Sequence, residues 1–190
     1  MCGGTDCIDT TSNSNACGPS CMVCPSGTSC TNSKCGTVEY GYPTEFSPCG
    51  GSFSGVSSDY LFGESITIPA TITVTALGLF GNNPAAGVHG VMALYGDSGG
   101  APSGLKTDTS STAIANGNNL IPVLSQVSVG PGTYWIFAEF DSLAAICSDS
   151  STSNQWDYIP VTYGSAPNLF GTPMTTAGQA NLNYYVVGTL

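Results

Sequence analysis

Carboxylates and aromatic rings are the residues in this chain whose chemistry could serve a ligand. Glu139 and Asp141 flank Phe140, so on a strand they share a face. Two carboxylates at a fixed separation can cleave a glycosidic bond, one as acid and one as base or nucleophile. The chain has no arginine and few polar groups of the kind that tune a carboxyl pKa, so a cation is the better use of these acids. Calcium takes loop carboxylates and carbonyls. Asp97, Glu139 and Asp141 are the candidate set for one structural calcium, with Asp149 and Asp157 also in or near loops. No other cofactor is expected. Trp156, Asp157 and Tyr158 follow the polar Ser148–Gln155 loop. There an exposed ring could stack on the apolar face of a sugar while Asp157 takes its hydroxyls. Trp135, inside TYWIF, reads instead as core.

Gly96-Asp97-Ser98-Gly99-Gly100 spells the nucleophile loop of trypsin-like serine proteases. That chemistry needs a histidine base, an orienting carboxylate and an oxyanion hole. The only histidine, His89, lies nine residues before Ser98 and on the same predicted strand, with too little chain upstream for a first barrel. The letters read better as a turn. Without a second histidine, His89 reads as a strand residue rather than a metal ligand. No catalytic set emerges, and the chain is expected not to be an enzyme.

The elements that would position these residues are written in period two. TITVTALGLF, Thr71 to Phe80, places Ile72, Val74, Ala76 and Phe80 on one face and its threonines on the other. Further strands are predicted over Ser65–Ile68, Val88–Tyr95, Leu120–Leu124, Gln126–Val129, Thr133–Phe140, Trp156–Val161 and Leu182–Val187. Turn-forming Gly, Asn, Pro and Asp separate them. No helical stripe competes. The fold expected is all-β, an antiparallel jelly-roll-like β-sandwich over residues 37–190.

Residues 1–36 differ. They hold seven of the nine cysteines, Cys2, Cys7, Cys17, Cys21, Cys24, Cys30 and Cys35, and few large apolar side chains. Such a segment cannot fold on a hydrophobic core, so disulfides must stand in. Cys21 and Cys24 form a zinc-like pair, but no second pair at knuckle spacing follows. Cys49 and Cys147 are expected to pair and to staple the start of the sandwich to a loop near its end. That leaves an odd number among the seven. One thiol is then expected to be free, bonded to another chain, or separated from a partner outside this sequence, with Cys2 the first candidate. The first residues spell neither a basic n-region nor an apolar h-region, so export implies a leader already removed.

Composition narrows the partners. The formal net charge is -10, with two lysines, and 7% of residues are charged against about 25% in ordinary soluble domains. Nucleic acid and anionic membrane both need cationic surface that this chain lacks. No apolar run is long enough to span a bilayer.

The stretches Leu77–Gly81, Gly90–Gly104 and GPGTYWIFA (Gly130–Ala138) resemble a jelly-roll-like module of large secreted and surface-anchored bacterial proteins, similar to the choice-of-anchor type domains. The likeness runs from about Ile66 to Tyr185, and CMVCPSGTSCTNSKC is similar to cysteine-rich segments beside such modules. It implies an extracellular β-sandwich without known catalysis and supplies no binding residues. The expectation is a secreted or cell-surface, non-enzymatic protein for adhesion or assembly that binds an extracellular polysaccharide. The alternative is a structural subunit of an extracellular fibre or coat, with copies of itself as partner.

Overall fold

β-branched and aromatic residues at alternate positions, cut by Gly, Pro and Asn, produce short antiparallel strands throughout the chain. The structure, a computed structural model, describes residues 12–15, 17, 30–31, 34–47, 49, 53–56, 59–149, 151, 154–164 and 166–190. Among them there is no helix, and the strands form two packed antiparallel sheets and a separate hairpin. The hairpin joins β1 (Cys30–Thr31) to β2 (Lys34–Cys35).

The six-stranded sheet is centred on β6 (Ile72–Gly81). One side of β6 pairs with β10 (Gly117–Val129). The other side pairs with β15 (Tyr184–Thr189) and, at its end, β12 (Ala144–Ile146). Outside these lie β3 (Val38–Gly41) and β4 (Phe53–Val56). The seven-stranded sheet runs β14 (Met174–Gln179), β13 (Asn154–Pro160), β5 (Tyr60–Ile68), β11 (Gly132–Phe140), β7 (His89–Asp97) and β8 (Pro102–Asp108), with β9 (Thr112–Ala113) also on β7.

Aliphatic, methionine and aromatic side chains from both sheets fill the space between them, among them Phe62, Ile68, Leu77, Met92, Ile136, Phe140 and Tyr184. Both outer faces are also partly covered. On the seven-stranded sheet, the segment after β13 folds back and Phe170 wedges onto Phe137 and Tyr95, ring centroids 4.2 and 5.2 Å away. On the six-stranded sheet, Ala76, Phe80, Tyr185 and Val187 pack with the Cys49–Cys147 disulfide. The Tyr185 ring lies where a Cβ on Gly78 would stand, so that position has no room for a side chain.

The disulfide expected between Cys49 and Cys147 is formed, and Cys17 pairs with Cys30. Cys2, Cys7, Cys21 and Cys24 lie outside the described residues, as does the question of the odd thiol. Most of the proposed 1–36 segment lies there too.

The expected alternation along β6 holds only in its first half. Ile72 and Val74 face the core between the sheets, but Ala76 and Phe80 face outward, and Leu77 and Leu79 turn in. An extra residue on β6 causes this. Val187 stands opposite Ala76, whereas its neighbour Gly188 stands opposite Val74. A one-residue bulge exchanges the two faces of a strand from that point on. β10 slips at the same place, between Pro122 and Val127. Proline has no N–H to continue the ladder. The two strands expected over 120–124 and 126–129 are therefore one strand with an irregularity inside it.

Candidate functional site

The alternation along β13 decides the fate of the expected sugar platform. Trp156 points between the sheets and is 6% exposed. Its indole N–H donates to the Ala180 carbonyl at 2.7 Å, and its ring meets Phe62 edge-on. The ring face is therefore core, which corrects the expectation of an exposed stacking surface. Asp157 is buried on the opposite side and accepts from the Thr175 hydroxyl at 2.8 Å and the Gln155 amide at 3.2 Å. Tyr158 is half-buried and lies edge-on to Tyr60 at 5.7 Å.

The three acids expected to hold calcium are not brought together. Asp97 ends β7 at the turn into β8, where it accepts from Gly100 N at 3.1 Å and from the Trp135 indole at 2.8 Å. Asp141 lies at the other end of β7, accepting from His89 N at 2.9 Å and facing the His89 ring at 3.3 Å. The hydrogen bond from the His89 amide holds the Asp141 carboxyl below its ordinary range. Glu139 lies on the outer face of the seven-stranded sheet, one oxygen accepting from Gly164 N at 3.1 Å. Its other oxygen is buried without a partner among the described residues. Burial, reinforced by Asp108 and opposed by the Gly164 hydrogen bond, raises its pKa. Among the described residues no three His, Cys, Asp or Glu side chains converge as a metal-binding group.

GDSGG is a hairpin turn. Ser98 N donates to Ala101 O at 2.9 Å, and Gly99 and Gly100 take φ values of 67° and 85° that favour glycine. His89 and Ser98 are separated by the length of β7.

Sequence reasoning missed Glu64. It is fully buried on β5, where it accepts from Leu182 N at 3.0 Å and from the Asn154 amide. Burial pushes its pKa up to about 9, against the lowering effect of those two donors. Around it, the Asp149 carboxylate accepts from Asn181 N at 2.8 Å and Asn181 Nδ2 at 2.7 Å, and Asn183 holds the backbone at Tyr42, Thr44 and Phe46. Tyr42 and Tyr184 both have pKa values raised by burial. This cluster ties residues 42–46, Asp149, Asn154 and residues 180–183 together at one end of the sandwich. The signal was available: Phe62, Glu64, Ile66 and Ile68 share a strand face, but the expected strand began at Ser65, five residues after β5 does.

The lateral edges complete the picture. The outer edge of β8 is occupied. Phe170 N donates to Ser103 O at 3.1 Å, Leu105 N donates to Asn168 O at 2.9 Å, and Thr109 bridges to Val123 of β10. β14 pairs with β13 on one side only. No backbone bond from its other side appears among the described residues. Met174, Thr175, Thr176 and Ala177 are all exposed, so neither face of β14 is covered. From Tyr158 to Leu190 the chain contains no Asp, Glu, Lys, Arg or His. The charge of -10 therefore resides entirely before this stretch.

No protein-family model matches the chain, no curated protein matches its sequence and no solved structure matches its fold.

Proposed function

We propose that this chain is a non-enzymatic extracellular protein that acts by assembly, as a structural subunit of a surface or extracellular structure. The observation that carries the reading is β14, an uncharged sheet edge with no strand on its outer side among the described residues, in a strongly acidic protein. Such edges are normally blunted with lysine, proline or a covering loop, because they accept another strand. The Cys17–Cys30 and Cys49–Cys147 disulfides fit a protein that works in an oxidising compartment, and no helix among the described residues is long and apolar enough to cross a membrane.

Polysaccharide binding remains as a second reading on one observation. Tyr60, 37% exposed, and Tyr158 form an edge-on pair at the rim of the sandwich, where a sugar could lie against them. Sedimentation velocity over a wide concentration range, with and without soluble polysaccharides, separates the two. Assembly in the absence of glycan supports the first reading. A monomer whose tyrosine fluorescence responds to glycan supports the second.

A further inference from the structure

We infer that β14 pairs with the β14 of a second copy of this chain, antiparallel across a two-fold axis, joining two seven-stranded sheets into one. The inference rests on the assembly reading and says where and how copies meet.

The edge has the required form. Six residues, Met174 to Gln179, present a row of backbone groups roughly 20 Å long. The row contains no proline and no charge to repel an incoming strand. The rival edges of the described sheets are less suited: β10, equally uncharged, is interrupted at Pro122 and bridged through Val123 and Ser125 to the end of β8, and β4 is four residues long. β8 is covered along its length by the 168–170 segment and by β10. β3 is four residues long and carries the exposed Glu39.

The choice of partner follows from charge. Two copies of charge -10 repel wherever their acidic surfaces approach. That repulsion is small at a contact made by the stretch after Asp157, where neither copy brings an Asp, Glu, Lys, Arg or His; residues 109–138 share this neutrality, but their edge strand β10 is already bridged to the end of β8. A neutral strand also has no charge with which to select a charged foreign peptide. It is complementary to itself, because a two-fold axis makes each residue's partner recur on the other copy. Thr175 and Thr176 then meet β14 residues of the second copy, and threonine favours cross-strand pairs. The apolar part comes from the inward-facing side. Met174 stands opposite Tyr158 on β13, and Tyr60 packs against Tyr158, so the three form an apolar ledge beside the edge. Met174 is 39% exposed in the single chain. Pairing of this kind uses up both edges, so it closes at a dimer instead of running on as a filament.

The test uses the full chain with its disulfides intact. Sedimentation velocity gives the dimer constant, and hydrogen exchange reads the amides of 174–179 at low and high concentration. The expected result is a non-covalent dimer whose β14 amides become protected as concentration rises. Thr176→Lys, at an exposed position, should weaken the dimer at least tenfold, and Leu124→Lys, on the far side of the sandwich, should leave it unchanged. Wild-type exchange decides the matter even if a variant folds poorly. Assembly with unprotected β14 amides, or unaffected by Thr176→Lys, overturns the β14 inference and leaves the assembly reading standing. The same holds for a dimer that survives SDS without reductant and shows fast β14 exchange, which would place the contact at a cysteine. A monomer at every concentration overturns both.

Discussion

The two lateral edges of the seven-stranded sheet, β8 and β14, are built from similar residues and end in opposite states. Both are short, rich in small polar residues and follow a proline or begin with one. β8 acquires a second set of partners on its outer side, whereas β14 has none among the described residues. The difference lies in what the rest of the chain does. The segment after β13 crosses the outer face to reach β8, drawn there by burial of Phe170 against Phe137 and Tyr95. The irregularity at Pro122 lets β10 bulge toward β8. β14 is reached by neither. An edge strand is therefore closed or open according to whether an apolar side chain nearby brings cover with it, more than according to its own sequence.

Three perturbations would break or sharpen this contrast. The largest effect is expected at the open edge. Trp156 anchors β13, the strand that carries β14, and also bonds the loop that leaves it. Trp156→Ala should cost about 3–5 kcal/mol, read as a fall in urea midpoint, with the amides of β14 exchanging first. A loss under about 1 kcal/mol would mean that the open edge is held by something other than its core anchor.

The second perturbation is pH. Glu64 in the folded chain has its pKa raised from 4.5 to about 9 by burial. Between those values the folded state holds a proton that the unfolded state has released. Stability from this group is therefore full below about pH 4.5 and is lost as pH rises toward 9, with a slope of up to about 1.4 kcal/mol per pH unit. Urea midpoints measured from pH 5 to pH 8 should fall, and Glu64→Gln should flatten the curve, since a neutral amide has nothing to release. Because the charge that forms on Glu64 as pH rises would be buried against the loop leaving β14, that loop should loosen before β8 does. A wild-type profile as flat as that of the variant would remove Glu64 from the account.

The smallest effect is expected at the closed edge. Thr107 donates to the Ser125 carbonyl at 2.7 Å and is almost fully buried. Thr107→Val keeps the shape and removes the donor, which should cost about 1 kcal/mol. Exchange at β8 should quicken while the dimer constant stays the same. A change in dimerisation would show that the closed edge takes part in assembly after all.

Much of the fold was legible because a half-buried strand needs alternation and a turn needs Gly, Asn, Pro or Asp. β7, β11 and β13 lie within a few residues of their predicted bounds for that reason. β8 and β14 were not legible. PSGLKTD and MTTAGQ have too few apolar residues to show a buried face, and they are strands because a neighbouring strand offers a ladder. The expected site failed on orientation. Trp156 and Tyr158 share the core-facing side of β13 and differ only in how far each lies from the sheet's end, which local sequence does not express.

Cysteine placement was sufficient to anticipate the Cys49–Cys147 bond, and period two to anticipate antiparallel sheets. The neutrality of the chain after Asp157 was also there to be read, although its meaning depended on that stretch forming a sheet edge. Only the tertiary structure decided three things: that β6 changes faces at its bulge, that Glu64 is buried, and that β8 is covered while β14 has no outer partner among the described residues. Each depends on contacts between residues far apart in the chain, where packing against a distant strand outweighs what any short stretch prefers by itself.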